Sequence, residues 1–351
     1  MRGEREDRGE ALTTLAGYLR AACVGRVEAN ASLAPYTTWR VGGPADLLYV
    51  AERVEHLVAA LDAAVALGLP WRVLGRGSNV LVRDEGVSGL VVINRTRELR
   101  IDGATVHAES GLLLSTVAQR AAAAGLAGME WGAGIPGSLG GAVVSNAGAH
   151  GSQLADSLQR ADLWHPPDPC PDPAGAAFAV ATHACRDGMA PDRASLPQRS
   201  GMRGWTPAAD LDLSYRHSRL RAAEAPPAVV LWAELLLTAD DPAAIRTRMA
   251  EQRRQRQATQ PLSQASAGSV FKNPPGGSAA RLIDLAGLKG MRIGGVQVSA
   301  KHANFMVTEV GATAVDVLAL IALVQGQVRE CFDIDLVLEV QPVGRETHAT
   351  D

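Results

Sequence analysis

Ser269 and Asn273 lie four positions apart in the segment AGSVFKNP, where a hydroxyl and an amide could act on one substrate. If residues 268–273 form a short strand, alternation places Ser269, Phe271 and Asn273 on one face. A serine hydroxyl can donate a proton when its conjugate base is stabilised nearby, so Ser269 is a candidate acid. A serine after a glycine is also common in plain turns, and that structural interpretation stays open.

Glu339 lies in an apolar segment close to the end of the chain. Apolar residues at alternate positions predict a strand over residues 334–343. Within it Glu339 shares a face with Gln341, opposite to the apolar row. The carboxylate is therefore either solvated or directed into a site.

Two glycine-rich loops could bind a phosphate-bearing group through their main-chain N–H groups. The first follows a predicted strand and consists of Gly75, Arg76, Gly77, Ser78 and Asn79. The second lies within residues 128–151 and includes Gly134, Ile135, Pro136, Gly137, Ser138 and Gly141. Tight turns would explain either loop alone, but two in one half of the chain favour a large cofactor that carries phosphate.

The second loop also matches the spacing of a dinucleotide-binding fingerprint through Gly132, Gly134 and Gly137. That fingerprint has physical meaning only after a strand and at the start of a helix. Here a predicted helix and loop precede it, and Pro136 lies inside it. A Rossmann fold is therefore not the favoured interpretation.

Cationic residues line the predicted helix 243–257, among them Arg254 and Arg256. Most such charge runs are solvated faces, but arginine also binds phosphate oxygens bidentately. The helix is either a solvated surface or a clamp for a diphosphate. The eight histidines include no pair at the helical spacing of metal ligands, so no metal centre is expected.

Apolar periodicity and turn residues predict the elements that must position these residues. The predicted strands include residues 45–50, 71–75, 89–93, 228–237 and 303–308. The predicted helices include residues 53–68, 243–257, 279–286 and 313–330, and residues 104–127 form a strand followed by a helix. Residues 1–25 are interpreted as a leader helix or a frayed arm, and the proline-rich residues 165–205 as a surface insertion or a flexible excursion.

Composition excludes several functional classes. A length of 351 residues allows about two or three domains. With 47% hydrophobic and 20% charged residues, each domain can bury a core. A net charge of −3 argues against broad nucleic-acid binding, which requires a strongly basic face. No segment offers about 18 uninterrupted apolar residues, and the charged N-terminus lacks the pattern of a signal peptide. We therefore expect a cytoplasmic protein.

Several motifs together resemble the UDP-N-acetylenolpyruvoylglucosamine reductase family. They are TTWRVGGPADL, LGRGSNVLVRDEGVSGLVV, GIPGSLGGAVVSNAGAHG, SYRHS, AGSVFKNP, LKGMRIGGVQVSAKHANF and LEVQPVG. They occur in family order from about residue 33 to residue 344, which is most of the chain. The resemblance implies an α+β fold, with a two-subdomain FAD-binding unit of the vanillyl-alcohol-oxidase type and a C-terminal α+β substrate-binding domain.

The resemblance also implies an activity. The family uses FAD as cofactor and NADPH as co-substrate to convert UDP-N-acetylglucosamine enolpyruvate to UDP-N-acetylmuramate in peptidoglycan precursor synthesis. By position in the motifs, Ser269 corresponds to the proton donor. Arg216 and Glu339 correspond to the pair that handles the substrate carboxylate and the enol-like intermediate.

Further roles are carried over from the same motifs. Arg40 and Asn146 lie in motifs on the FAD side, and the two glycine loops would bind the FAD diphosphate. The residues expected to contact substrate are Tyr215, Lys272, Asn273, Arg254, Arg256 and His302. We expect the domains to span residues 26–240 and 241–345, between an arm (1–25) and a tail (346–351), and we expect a monomer.

Ser269 follows Arg216 by 53 positions, which is similar to the shorter of two family subtypes and predicts no tyrosine lid. The chain departs from the family pattern at Gln341, at His150 and in the proline-rich insertion. A related FAD oxidase and a flavin- or nucleotide-sugar-binding protein without turnover are alternative hypotheses. The joint presence of Ser269, Arg216 and Glu339 argues against the oxidase, and only Gln341 and the insertion favour the binding protein.

Overall fold

The computed structural model describes residues 2–167, 200–222 and 224–346. Most of the predicted insertion, from residue 168 to residue 199, lies outside these ranges. The helices are α1 (Arg2–Ala22), α2 (Val54–Ala66), α3 (Leu114–Ala123), α4 (Leu139–Ser145), α5 (Pro242–Thr259), α6 (Ala279–Leu285) and α7 (Ala314–Phe332). Within the described ranges, no helix combines the length and the apolar character needed to cross a membrane.

The strands are short and mostly antiparallel. They are β1 (Val27–Ser32), β2 (Pro44–Ala51), β3 (Trp71–Leu74), β4 (Val80–Val82), β5 (Val87–Asn94), β6 (Leu99–Asp102), β7 (Thr105–Glu109), β8 (Leu126–Ala127), β9 (Gly148–Ala149), β10 (Ser152–Gln153), β11 (Leu158–His165), β12 (Met202–Pro207), β13 (Val229–Leu236), β14 (Thr238–Ala239), β15 (Arg292–Ile293), β16 (Val296–Val298), β17 (Met306–Thr308) and β18 (Gln341–Val343). Helices and strands thus occur in one mixed α+β arrangement.

The chain divides into two compact units. The first contains residues 1–31, 45–76 and 88–252, and the second contains residues 32–44, 77–87 and 253–351. The second unit therefore combines two early segments, residues 32–44 and 77–87, with the C-terminal part of the chain. The contiguous domain limits given above stay a prediction.

The first unit is built on two sheets. One has the strand order β1-β2-β5-β3, and α1 and α2 pack on it through the buried Leu15, Leu19, Leu57 and Leu61. The other has the order β12-β11-β13-β7-β6 and shares a core with α3 and α4. Leu15 and Leu19, buried in the core beneath the first of these sheets, show that the N-terminal segment is a packed helix.

The second unit has its own core. The three-stranded sheet β15-β16-β17 packs with α6 and α7, and strand β18 pairs in parallel with β4. Helix α7 turns Val317, Leu320, Ile321 and Val324 inward, which is the spacing of an amphipathic helix. A capping box between Thr313 and Asp316 fixes the start of this helix.

Three strand predictions require correction. Residues 268–273 form no regular strand but contribute isolated bridges at Ser269 and Phe271. Val270 and Phe271 are both buried, so side chains do not alternate there as predicted. Residues 334–343 are a regular strand only over Gln341–Val343, and residues 303–308 only over Met306–Thr308. In each case the chain turns soon after it pairs, so no ladder can extend.

The other predicted elements agree with the structure. Strands β2, β3, β5 and β13 and helices α2, α3, α5, α6 and α7 lie where periodicity placed them, to within a few residues. The end of the predicted insertion, in contrast, is ordered. Residues 202–207 form β12, which pairs with β11 along its full length.

Candidate active site

The two predicted glycine loops meet inside the first unit. A Cβ built on Gly75 would lie 2.1 Å from the hydroxyl oxygen of Ser138, so a larger residue at position 75 would displace the Ser138 side chain. Ser138 caps helix α4, and its Oγ accepts a hydrogen bond from the Gly141 N–H at 3.3 Å. The main-chain N–H groups of Gly137 and Ser138 donate to no described residue. This loop therefore presents donors that a bound anion could use.

The first loop continues into the second unit at Gly77. This glycine has φ of +62°, and a Cβ there would lie 2.1 Å from the main-chain oxygen of Tyr36. Its own oxygen accepts a hydrogen bond from Thr38 N at 3.1 Å. The N–H groups of Gly77 and Ser78 have no acceptor among the residues that the structure describes. The contacts with Tyr36 and Thr38 thus fix the turn, and the N–H groups of Gly77 and Ser78 could bind an anion.

Asn79 ends this loop and joins it to the segment of the predicted carboxylate. Its side-chain Nδ2 donates to the main-chain oxygen of Glu339 at 3.2 Å. Its own main-chain oxygen accepts from Gln341 N at 3.0 Å. The Asn79 side chain is thus used to position Glu339, a role that the sequence did not indicate.

Ser269 and Glu339 lie on neighbouring segments of the second unit. Glu339 N donates to the main-chain oxygen of Val270 at 2.8 Å, one residue beyond the serine. Phe271 also forms an isolated bridge with Leu338. Both Ser269 and Glu339 are half-buried, and Glu339 is held by contacts within the protein. The structure therefore brings the predicted acid and the predicted carboxylate onto adjacent segments.

Lys272 and Asn273 extend the Ser269 segment. Lys272 N donates to the main-chain oxygen of Val337 at 2.8 Å, and the residue is half-buried and has a further interaction within the protein. Asn273 is exposed, and its Oδ1 accepts from Ala279 N at 3.1 Å at the start of α6. Asn273 thus holds a helix end, and among the described residues its amide nitrogen has no acceptor.

Arg216 lies in the first unit at the tip of a tight turn. The turn is closed by two main-chain hydrogen bonds between Ser214 and His217, of 3.1 and 3.2 Å. Arg216 has φ of 54°, a left-handed conformation that is costly for a residue with a Cβ. Its NH2 group donates to Gly148 O at 2.9 Å, and its guanidinium lies 5.3 Å from the centre of the Tyr215 ring. Such strain persists only where surrounding contacts enforce it.

Asn146 is one of those contacts. Its buried amide donates to the main-chain oxygen of Ser214 at 2.9 Å and to Gln153 at 3.1 Å, and accepts from Ala155 N at 3.0 Å. Asn146 is itself left-handed, with φ of 41°. The side chain predicted to lie near a cofactor therefore also anchors the Arg216 turn.

Arg40 lies in the second unit and is likewise left-handed, with φ of 58°. The preceding Trp39 is fully buried, and its Nε1 donates to the main-chain oxygen of Met306 at 3.0 Å. Thr308 Oγ1 donates to Trp39 O at 2.6 Å. The buried neighbour thus fixes the backbone while the Arg40 side chain is exposed.

The predicted substrate cations differ in environment. Arg254 is exposed on α5 and has a partner within the protein. Arg256 is half-buried, its Nε has no described partner, and burial lowers the pKa of its guanidinium. Nδ1 of His302 is also buried without a described partner, and its ring lies edge-on to Phe305 with centroids 4.7 Å apart. Burial lowers the pKa of the His302 imidazole, which favours its neutral form.

Two further buried polar residues position the site, and the sequence motifs do not single them out. Arg221 is buried, and its NH1 donates to the main-chain oxygen of Arg216 at 3.1 Å. Asn304 is buried beside Phe271 and bonds to its main chain. A polar residue inside an apolar stretch, as Asn304 is in KHANFMV, was the available signal. The described residues contain no cluster of three or more His, Cys, Asp or Glu that could hold a metal ion.

Comparison with known proteins supports the family resemblance of the sequence motifs over nearly the whole chain. Residues 260–343 match a model described as "UDP-N-acetylenolpyruvoylglucosamine reductase, C-terminal domain", and residues 45–168 match an FAD binding domain. The reductase of that name from Moorella thermoacetica is 40% identical, with 95% of this chain and 98% of that protein covered. The one from Bacillus velezensis is 38% identical, with 93% and 97% covered.

A solved structure agrees with these relatives. It is that of UDP-N-acetylenolpyruvylglucosamine reductase from Thermus caldophilus, 36% identical, and the match covers 91% of this chain and 99% of that one with a TM-score of 0.69. The predicted fold class, a FAD-binding domain followed by a C-terminal domain of the reductase type, is confirmed.

Proposed function

Because the chain belongs to the UDP-N-acetylenolpyruvoylglucosamine reductase family, a family of flavin-dependent oxidoreductases, we propose that it reduces UDP-N-acetylglucosamine enolpyruvate to UDP-N-acetylmuramate with NADPH as co-substrate. The observation that carries the proposal is the pairing of two segments of the second unit. Glu339 N donates to Val270 O at 2.8 Å, beside Ser269. An acid and a carboxylate on adjacent segments are what the reaction requires.

The glycine loops fit the diphosphate of FAD. Gly75 and Gly77 lie where a Cβ would overlap Ser138 Oγ and Tyr36 O. The main-chain N–H groups of Gly77, Ser78, Gly137 and Ser138 have no described acceptor. We assign FAD binding to a set of residues in these loops and in two flanking motifs. They are Arg40, Gly75, Arg76, Gly77, Ser78, Asn79, Gly134, Ile135, Pro136, Gly137, Ser138, Gly141 and Asn146. Bound FAD supplies hydride transfer from NADPH to the enolpyruvyl double bond.

The residues of this chain then manage charge and protons on the substrate. Hydride addition to C3 builds negative charge on C2 and on the adjacent carboxylate. Arg216 stabilises that charge through its guanidinium, and Ser269 donates a proton from Oγ to C2. Glu339 polarises the enol-like intermediate through a hydrogen bond.

The left-handed backbone at Arg216 supports its role. A non-glycine residue keeps such a conformation only when the protein over-determines it, and this is common at active sites. Hydrogen bonds from Asn146 to Ser214 and from Arg221 to Arg216 hold the turn. The guanidinium is thereby oriented before substrate arrives.

Substrate contacts are assigned to six further residues, namely Tyr215, Lys272, Asn273, Arg254, Arg256 and His302. The partly buried Arg256, whose Nε lacks a described partner, supports a phosphate-binding role. The lowered pKa of His302 favours a neutral imidazole, which is suited to donate or accept a hydrogen bond rather than to neutralise a phosphate. The proposal includes a monomeric enzyme acting in the cytoplasm, where NADPH is available.

The experiment uses the purified protein and both substrates. The protein should be yellow, and it should oxidise NADPH only when UDP-N-acetylglucosamine enolpyruvate is added, giving a product heavier by two hydrogens. Colourless protein that takes up no added FAD would contradict the cofactor assignment. Yellow protein without substrate-dependent NADPH oxidation would contradict the reductase assignment.

A further inference from the structure

Asn304 pairs with the backbone of the Ser269 segment through its side chain. Its Oδ1 accepts from Phe271 N at 2.9 Å, and its Nδ2 donates to Phe271 O at 2.8 Å. Its main-chain oxygen also accepts from Val270 N at 2.9 Å. Asn304 is 4% exposed and Phe271 is 1% exposed, so these bonds are shielded from water.

This side chain replaces a missing strand partner. Ser269 forms an isolated bridge with Phe305, but the ladder does not continue to Phe271 on that side. Both main-chain polar groups of Phe271 would then be buried without partners, and the Asn304 amide supplies one donor and one acceptor to satisfy them. A reciprocal pair of hydrogen bonds also fixes orientation, which a single bond does not.

The opposite side of the same segment holds the carboxylate. Val270 O accepts from Glu339 N at 2.8 Å, and Lys272 N donates to Val337 O at 2.8 Å. Residues 269–272 are therefore clamped between Asn304 on one side and residues 337–340 on the other. Motion of this short segment would move Ser269 and Glu339 relative to each other.

We propose that Asn304 is a positioning residue that sets the placement of Ser269 and Glu339 through its two hydrogen bonds to Phe271. This inference rests on the proposed function, because it assigns Ser269 as the acid. Asn304 acts through the backbone and need not touch substrate or FAD. Its loss should therefore slow the proton-dependent reduction of substrate and leave FAD binding and flavin reduction by NADPH unchanged.

Two variants separate positioning from general stability. Asn304→Asp keeps the size and the acceptor for Phe271 N but loses the donor to Phe271 O. Asn304→Ala loses both. Gln297→Glu is the matched control, since it makes the same amide-to-carboxylate change in the same unit, where Gln297 Nε2 donates to Gly290 O at 3.0 Å.

The experiment measures flavin reduction by NADPH and flavin reoxidation by UDP-N-acetylglucosamine enolpyruvate separately, per bound FAD, in anaerobic stopped flow. Reoxidation should fall about 10- to 100-fold in both Asn304 variants, the range expected for a displaced catalytic group, with a larger solvent deuterium isotope effect. The rate of flavin reduction in the Asn304 variants, and both rates in the Gln297→Glu control, should match those of the wild type.

A second measurement uses pH. Acid pH should restore part of the Asn304→Asp reoxidation rate relative to wild type, because a protonated carboxyl again donates to Phe271 O. Asn304→Ala should show no recovery.

Reoxidation at the wild-type rate in Asn304→Asp would overturn the inference, even if Asn304→Ala fails to fold. Equal loss of both half-reactions would also overturn it, because that pattern indicates a purely structural role. Wild-type protein that is not reoxidised by the substrate would instead contradict the proposed function, and the inference with it.

Discussion

The side-chain amide of Asn79 donates a hydrogen bond to the main-chain oxygen of Glu339 at 3.2 Å. The two residues are 260 positions apart in the chain. Strand β4 begins directly after Asn79 and pairs in parallel with β18, which follows Glu339. The loop assigned to the FAD diphosphate and the carboxylate assigned to catalysis are thus parts of one hydrogen-bonded structure. A substitution in the loop should therefore alter the position of Glu339, and a substitution near Glu339 should alter the loop.

Asn79→Ala removes this link. The loss of one partly buried hydrogen bond should lower the free energy of unfolding by about 1 kcal/mol. Because the glycine loop is then less constrained, FAD should also dissociate more readily. Urea unfolding of the FAD-free protein and a titration of FAD fluorescence measure the two effects. Unchanged FAD affinity would contradict the proposed coupling.

Gly77→Ala tests whether the close approach in the first glycine loop matters. Its Cβ would lie 2.1 Å from Tyr36 O at φ of +62°, so the backbone must shift and FAD binding should be lost. Gly276→Ala is the matched control, because Gly276 has φ of +68° but no atom within 4 Å of the added Cβ. The control should cost only about 1–2 kcal/mol of conformational strain and keep FAD. Equal effects of the two variants on FAD content would show that the contact with Tyr36 is unimportant.

Arg216→Lys tests the charge-stabilising role. Lysine keeps the positive charge but lacks the planar fork of donors, so reoxidation of the flavin by substrate should slow by about 100-fold or more. Flavin reduction by NADPH should be unaffected. The exposed Arg219 lies three residues later, and Arg219→Lys should behave as wild type. A normal reoxidation rate in Arg216→Lys would refute this assignment.

The depressed pKa of His302 predicts a pH dependence of stability. Burial favours the neutral imidazole, so the folded-state pKa lies below 6.5. Burial of the neutral His302 imidazole therefore contributes fully to the free energy of unfolding above pH 6.5. This contribution is lost as the pH falls through the folded-state pKa. His302→Gln should lose less stability than wild type between pH 7 and pH 5 in urea unfolding. A His302 NMR titration midpoint at or above 6.5 would contradict the prediction.

Much of the fold could be predicted because local pattern and packing agree. The apolar positions of α7, such as Val317, Leu320 and Val324, are a helical pattern that the structure confirms. The Ser269 segment could not be predicted correctly, since its order comes from the side chain of Asn304 and not from a strand. A hydrogen bond between residues so distant in sequence leaves no periodic signal.

The site shows the same division. The motifs picked out Ser269 and Glu339, which the structure brings onto adjacent segments, and Gly75 and Ser138, which are in contact. They did not indicate that Asn79 and Asn146 hold other site segments through their amides. A residue type predicts which hydrogen bonds a side chain can make, and the tertiary fold determines which residue is its partner.

Ser269→Ala, measured in the two half-reactions with the exposed Ser263→Ala as control, tests whether Ser269 is the proton donor. Removal of the proton donor should leave FAD content and flavin reduction by NADPH as in wild type. Reoxidation by UDP-N-acetylglucosamine enolpyruvate should fall by about 100-fold or more, as expected for a lost general acid. Reoxidation of Ser269→Ala at the wild-type rate, or an equal loss of both half-reactions, would contradict the assignment of Ser269 as the proton donor.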